Sequence, residues 1–168
     1  EKLWQEVLQG QARSVFFQGS ATEAFSREIT RFFARMPGEK VILRRDLDGR
    51  PLQAPWFPFL DFVKECTAGR EPAALEALLA GADVYSLHRP MVSSWIRGEP
   101  LVRDEEMLPD ELAFEKGRLE EGILSLLATL SAEIPLLLLV NNLQLAGSAG
   151  LALAARLLDR PPPGRLLF

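Results

Sequence analysis

Residues 134–146 read Ile134-Pro-Leu-Leu-Leu-Leu-Val-Asn-Asn-Leu-Gln-Leu-Ala146, and this segment indicates the architecture more directly than any other. The residues from Leu136 to Val140 form a continuous apolar run, without the alternation of a strand that has one face in water. Such a run is typical of a strand buried on both faces of a parallel sheet. We therefore expect a central strand here, with the polar pair Asn141-Asn142 at its carboxyl end.

Helices and strands alternate on either side of this segment. Apolar residues recur at helical or strand spacing, and Gly or Pro marks most of the ends. The predicted helices cover residues 3–8, 25–36, 59–64, 73–79, 112–130 and 151–158, and the predicted strands cover residues 15–17, 40–44, 136–140 and 165–168. Strands that are separated by helices imply a parallel sheet with right-handed crossovers, which places the chain in the α/β class.

Two segments lack a regular pattern. Residues 46–58 carry Asp48-Gly49 and repeated prolines, which predicts a loop, and residues 83–107 predict only short helical pieces and loops. The chain stops on a predicted core strand. We therefore expect residues 1–168 to be a single domain that is a fragment of a larger multidomain protein.

Composition narrows the class of protein further. A length of 168 residues, with 48% hydrophobic and 25% charged residues, suits one domain with its own core. The net charge of −4 has no basic stripe, so we expect no nucleic-acid partner. The longest apolar run is far shorter than the roughly 20 residues of a membrane helix, and the amino-terminal segment lacks a signal-peptide pattern. These features predict no membrane association and a cytoplasmic location.

The sequence contains one cysteine, Cys66, and one histidine, His88. An intrachain disulfide is therefore impossible, and no Cys/His metal site is expected. Other conspicuous groups have structural interpretations. Glu120-Glu121 is interpreted as a solvated face, and the aromatic residues between Trp56 and Phe62 are expected to pack a helix onto the sheet.

Residues 14–26 predict a strand that runs into a helix through a segment with the spacing of a phosphate-binding loop. The pattern G-x-x-x-x-G-K-[ST] uses glycines to wrap backbone N–H groups around phosphates, a lysine to meet them, and a hydroxyl to ligate magnesium. The frame here is Gly19-Ser-Ala-Thr-Glu-Ala-Phe-Ser26. Gly19 and Ser26 fit the pattern, whereas Ala24 replaces the second glycine and Phe25 replaces the lysine.

Glu23 adds an anion to a loop that would hold anions. At a few ångströms from a phosphate, its repulsion is roughly 1 to 4 kcal/mol. Ser20 and Glu23 also have the spacing of a capping box, so the helix is expected to begin inside the loop and to occupy the donors there. Phe25 fits the apolar stripe of that helix, and we expect it to be a core residue.

Asn141 and Asn142 follow the central strand at the position where P-loop ATPases carry acidic residues. Those residues hold the magnesium shell and polarise the attacking water. Asparagine keeps the shape of aspartate without the charge, and it neither attracts a divalent cation as an anion does nor accepts a proton. We therefore expect no metal site and no catalytic residue.

Taken together, these segments resemble the ATPase modules of the AAA and STAND classes, which occur in multidomain bacterial signalling regulators. Three segments carry the resemblance, namely Gly19–Ser26, Ala54–Leu60 and above all Pro135–Gly147. The family's second motif runs as Pro, four or five aliphatic residues, Asp-Asp, Leu-Gln, Trp, Ala and Asp. Asn141 and Asn142 fall on its two aspartates. The matches are Leu143-Gln144 and Ala146, and the departures are Leu145 and Gly147.

This resemblance implies a P-loop NTPase-like parallel sheet with helices on both faces, incomplete because the family's sensor residue and helical lid would follow Phe168. The nucleotide-binding positions that it implies are, as vestiges, Gly19, Ser26, Asn141 and Asn142, and, as degenerate positions, Glu23, Ala24 and Phe25. Two functions remain open. We favour a non-catalytic regulatory and protein-interaction module, a pseudo-ATPase with decayed Walker A and Walker B motifs that needs no cofactor and contacts protein partners or other domains of its own chain. The alternative is an ATP- or ADP-sensing domain that binds nucleotide with magnesium and hydrolyses little or none.

Overall fold

The computed structural model describes residues 2–15, 23–48, 56–99 and 109–168, apart from the side chains of residues 23 and 109–115. Within these ranges the chain is α/β, with helices around a small parallel sheet. The helices are α1 (Lys2–Leu8), α2 (Glu23–Arg35), α3 (Phe59–Thr67), α4 (Pro72–Gly81), α5 (Arg89–Arg97), α6 (Pro109–Glu133) and α7 (Gly147–Asp159). The strands are β1 (Val41–Asp46), β2 (Leu136–Asn141) and β3 (Leu166–Leu167), and a 3-10 turn covers Leu143–Leu145.

The central strand is β2, which pairs in parallel with β1 on one side and with β3 on the other. Residues 13–15 continue the sheet beyond β3, since Arg13 bridges Leu167 in parallel and the Val15 N–H donates to the Phe168 carbonyl at 2.7 Å. The pairing begins at Arg13, two residues before the strand predicted at 15–17, and Phe16 and Phe17 of that prediction lie outside the described residues.

The side chains of β2 alternate between two apolar cores. Leu136 and Leu138 belong to the larger core, which includes residues of α3 to α7, and Leu137 belongs to a smaller core with Trp4 and Val7 of α1. All five side chains are at most 1% exposed. The expectation of a strand buried on both faces, with helices on each, is thus confirmed.

Most of the predicted elements are found with small shifts at their ends. The strand predicted at 40–44 continues to Asp46, so the loop expected from that residue begins later. The segment 83–107 contains α5, which is followed by Gly98 in the left-handed conformation with φ 77°. Residues 100–107 of this segment are outside the described ranges. Among the described residues, no helix combines the length and the apolar composition that crossing a bilayer requires.

Two predictions about burial are wrong. Phe25, expected in the core, is 42% exposed, because the face of α2 that lies on the sheet is instead marked by buried Ser26 and by Phe33. Glu120, expected on a solvated face, is only 8% exposed. Its carboxylate accepts a hydrogen bond from Trp56 Nε1 at 3.2 Å and lies 3.6 Å from an Arg156 nitrogen, which compensates its burial.

The aromatic cluster packs as predicted. Phe59 and Phe62 of α3 are fully buried, and their ring centroids lie 6.3 Å apart in an edge-to-face arrangement. The first turn of α7 lies close to the chain just before α3, at Gly150. A Cβ atom on Gly150 would lie 2.6 Å from the Phe57 carbonyl oxygen and 2.9 Å from the Ala146 Cβ.

We therefore expect Gly150→Ala to destabilise the protein by about 1–3 kcal/mol, since overpacked backbone contacts must be relieved. The matched control is Gly117→Ala in α6, where an added Cβ has no neighbour within 4 Å among the described residues. That variant should be more stable by about 0.5–1 kcal/mol through helix propensity. Urea denaturation measures both, and a stabilising effect at position 150 would contradict the close approach.

Candidate functional site

The carboxyl ends of β1 and β2 lie at the edge where open parallel sheets bind their ligands. The two strands end in register, since Asp46 of β1 is the partner of Asn141 of β2. Asn142 follows in the left-handed conformation, with φ 58° and ψ 40°. Asparagine tolerates this conformation better than most residues do. The structure thus brings a carboxylate from a neighbouring strand to the asparagine pair.

Both asparagine amides act as hydrogen-bond donors at this edge. Asn141 Nδ2 donates to Asp46 Oδ1, and Asn142 Nδ2 donates to the Leu47 carbonyl at 3.0 Å. The Leu47 N–H in turn donates to the Asn141 carbonyl at 3.2 Å. An ionised aspartate has no proton to donate in either place. The two amides therefore tie the end of β2 to the end of β1 in a way that the corresponding acids could not.

Asp46 is already engaged within this arrangement. A nitrogen of the Arg44 guanidinium lies 2.7 Å from its Oδ2, and the Asp46 side chain is 49% exposed. Partial burial acts to raise the pKa of Asp46, but the hydrogen bond from Asn141 and the pairing with Arg44 outweigh it, so the pKa lies below its ordinary value. Among the described residues, no group of three or more His, Cys, Asp or Glu side chains could hold a metal ion.

The other half of the predicted site lies at the start of α2. The helix begins at Glu23, inside the frame 19–26, while Gly19 falls outside the described residues. Ala24 is exposed, and so is Phe25, the residue at the lysine position. Ser26 is buried to 4% exposure, and its Oγ has no hydrogen-bond partner among the described residues.

A cavity of about 610 Å³ joins these two halves. Phe25 and Ser26 line it from α2, and Asn141 and Asn142 line it from the end of β2. Most of the remaining wall is apolar, and no lysine, arginine, aspartate or glutamate lines the cavity within the described part of the chain. The polar Gln144 also lines the cavity, and the apolar lining residues include Leu3, Trp4, Ile29, Phe32, Phe33, Leu137, Leu139, Leu151, Leu158 and Leu167.

Comparisons with protein-family models, with curated proteins and with solved structures give no significant match to this chain. The chemistry of the cavity therefore has to be argued from its own residues.

Sequence reasoning missed two residues of this region. The sequence pattern predicts a loop from Asp46 onward, whereas β1 includes this residue, and the register with β2 brings it to Asn141. Trp4 was unremarked within the apolar stripe of the first helix. Its position against Phe33, with ring centroids 5.3 Å apart, requires the tertiary structure.

The lowered pKa of Asp46 predicts a pH-dependent contribution to stability. Because the folded-state pKa lies below the ordinary value of 3.8, the stabilisation is fully present above that value and is lost as pH falls through the folded-state pKa. Asp46→Asn should therefore cost less than about 1 kcal/mol at neutral pH, since the pair is half-exposed. The free-energy difference from the unmodified chain should shrink below about pH 4.

Urea denaturation measures how the effect of Asp46→Asn on stability depends on pH. Measurements from about pH 2.5 to about pH 7 span the range in which carboxyl groups ordinarily titrate. Asp159→Asn is the control, because the Asp159 side chain is 81% exposed and its nearest cation, Arg160, lies 3.6 Å away. We expect little effect of the control at any pH. A constant penalty for Asp46→Asn across the range would contradict the electrostatic origin.

A second prediction separates the backbone role of Asn142 from its hydrogen bond. Asn142→Ala loses the bond to Leu47 and places an alanine in the left-handed region, so we expect a loss of about 1–2 kcal/mol. Glycine adopts the left-handed conformation without strain, so Asn142→Gly should destabilise the protein less than Asn142→Ala. Asn142→Asp replaces the amide donor with a carboxylate acceptor that faces the Leu47 carbonyl. At neutral pH it should therefore destabilise the protein at least as much as Asn142→Gly does.

Chemical denaturation of the three variants measures their order of stability. If the aspartate variant were as stable as the unmodified chain, the amide of Asn142 would not be acting as a donor.

Proposed function

We propose that this chain is a non-catalytic regulatory and protein-interaction module, part of a larger cytoplasmic signalling protein, built on the frame of a degenerate P-loop ATPase of the AAA/STAND type. The observation that supports it best is the use of both strand-end asparagines as donors beside a cavity that no described charged side chain lines. These residues hold the fold together at the place where an ATPase of this frame handles phosphate and metal.

The argument about phosphate is that the cavity lacks a described cation to compensate the charge of a nucleotide. A nucleoside triphosphate brings several negative charges, and burying charge without a partner is costly. The cavity offers the Phe25 ring where a lysine would stand, and its other described walls supply no cation. Backbone N–H groups at the start of α2 are the remaining source of attraction for an anion.

The argument about magnesium is that the nearest carboxylate is already paired with other groups. The carboxylate nearest to Asn141 is that of Asp46, and Arg44 and the Asn141 amide already engage it. Magnesium prefers oxygen ligands, usually including one or two carboxylates, and it gives up its water reluctantly. A magnesium ion would have to displace the guanidinium and would gain only one negative charge.

A second candidate function is nucleotide sensing without hydrolysis. One observation favours it. Ser26 is the residue that the P-loop pattern assigns to magnesium, its hydroxyl has no partner in the described part of the chain, and it shares a cavity with Asn141 and Asn142. Backbone groups together with this hydroxyl would then hold ADP or ATP weakly.

Thermal unfolding with and without millimolar ATP or ADP and magnesium distinguishes the two functions. We expect no shift for the unmodified chain. Ligand at 100 times its dissociation constant would add about 2.7 kcal/mol of stability, or roughly 5–11 °C for a domain of this size. A shift that Ser26→Ala abolishes would overturn the proposal in favour of nucleotide sensing.

A restored variant provides the matched comparison. It carries Glu23→Gly, Ala24→Gly and Phe25→Lys, with and without Asn141→Asp and Asn142→Asp. Restoring only the loop leaves the ties between β1 and β2 intact, so this form should keep the fold of the unmodified chain. A nucleotide-dependent shift in the loop variant, with none in the unmodified chain, is the result that the pseudo-ATPase proposal expects.

A further inference from the structure

The end of β2 supplies three carboxamide side chains to the wall of the cavity described above. Asn141, Asn142 and Gln144 line this cavity, and Asn142 and Gln144 are exposed, so a molecule inside the cavity can reach their amide groups. The hydrogen bonds to Asp46 and Leu47 use one N–H of each asparagine, and the Gln144 amide takes no part in them. Each of the three side chains therefore has both a donor and an acceptor to offer to a ligand.

The remainder of the cavity wall is mainly apolar and follows β2. All residues from Leu137 to Asn142 line the cavity, and the distance from Leu137 to Asn141 is about 13 Å along the strand. Near Leu137 the lining includes Trp4 and Phe33, which belong to the same apolar cluster as this leucine. The cavity is therefore elongated, with amide groups toward one end and apolar side chains along the other part.

The charge of the lining favours an uncharged ligand. Among the described lining residues, no side chain is a cation or an anion. Residues 14–22, which lead into α2, contain no charged residue in their sequence either. A carboxylate, a phosphate or an ammonium group bound here would lose water without gaining a described counter-ion, which is costly.

The size and accessibility of the cavity suit a small molecule. Its volume of about 610 Å³ lies within the range of roughly 300–1,000 Å³ that ligand pockets occupy, and mainly apolar walls with a few polar groups are their usual lining. Phe25, Phe32 and Leu151 belong to this lining and are 40–45% exposed. A bound molecule would cover part of this apolar surface and gain the free energy of its burial.

A carboxamide is the uncharged group that matches the polar end of the cavity. It donates through its N–H and accepts through its carbonyl oxygen, so it can pair with another carboxamide through both groups at once. An ester or a tertiary amide, in contrast, can only accept. We infer that this cavity binds an uncharged, elongated amide, with its amide group at Asn142 and Gln144 and its hydrocarbon chain along Leu137 and Leu139.

This inference goes beyond the proposed function and does not rest on it, because it concerns neither nucleotide nor magnesium. The probes are octanamide and N,N-dimethyloctanamide, which lacks the N–H donor, together with octanoate and octyltrimethylammonium, which share the chain and carry a charge. Isothermal titration calorimetry and thermal unfolding report binding, at concentrations below micelle formation. Both ligands of the proposed function are left out, so failure of either idea leaves the other standing.

Octanamide should bind the unmodified chain about tenfold or more tightly than octanoate at neutral pH, because the carboxylate has no counter-ion in the cavity. Gln144→Met keeps the length of the side chain and removes its amide. In this variant the preference for octanamide over N,N-dimethyloctanamide should fall about threefold to tenfold, because the N–H of octanamide loses its acceptor. Leu151→Ser should weaken the binding of both amides about threefold or more, since apolar contact is lost.

Matched variants outside the cavity control for indirect effects. Gln9→Met removes the amide of an exposed glutamine, and Leu87→Ser shortens a leucine that is 73% exposed; neither residue lines the cavity. Both variants should bind all the probes as the unmodified chain does. Thermal unfolding without ligand checks that every variant is folded.

Three results would overturn the inference. The first is that neither amide binds the unmodified chain. The second is that octanoate or octyltrimethylammonium binds as tightly as octanamide, which would show that charge, from Glu23 in the case of the cation, governs the site. The third is that Gln144→Met leaves the preference between the two amides unchanged, or that Gln9→Met changes it equally.

Discussion

The structure depends on the burial of one strand. β2 carries Leu136 and Leu138 into one core and Leu137 into the other, and all three are essentially inaccessible to solvent. Its backbone is paired on both edges, with β1 and with β3. Helices on both faces of the sheet therefore share an apolar core with side chains of this strand, and each buried leucine contributes at roughly 25 cal/mol per Å² of apolar surface. A charged side chain in the interior of β2 would be buried in an apolar core on either face of the sheet, which is costly. The carboxyl end of β2, in contrast, reaches solvent.

That burial also explains where polar chemistry can occur. Asn141 is the first polar residue that β2 supplies, and it appears in register with Asp46 at the end of β1. The asparagine amides close the strand ends, and the apolar cavity begins beside them. The candidate site therefore combines an amide-lined edge with walls that are mainly apolar.

The parts of the fold that follow from local pattern could be predicted from the sequence. The apolar run at Leu136–Val140 predicts its own burial, and helix spacing predicts most of the helices, because both are properties of consecutive residues. Contacts between distant residues could not be predicted in this way. The pairing of Asp46 with Asn141 depends on register across 95 positions, and the exposure of Phe25 depends on how α2 rotates against the sheet. The coexistence of Trp4 and Ser26 in one cavity depends on both helices at once.

Under the proposed pseudo-ATPase function, the departures from the pattern in the two halves of the predicted site are physically linked. An aspartate at position 141 would stand beside the carboxylate of Asp46, which already pairs with Arg44. Two adjacent carboxylates repel each other unless a metal ion or further cations compensate them. A metal–phosphate complex in a site of this kind would need a lysine at the position of Phe25, so without that lysine the proposal gives no reason for acids at the strand end. Asparagine at 141 stabilises Asp46 in its charged form. Asn141→Asp without Phe25→Lys would place two carboxylates side by side with no added cation.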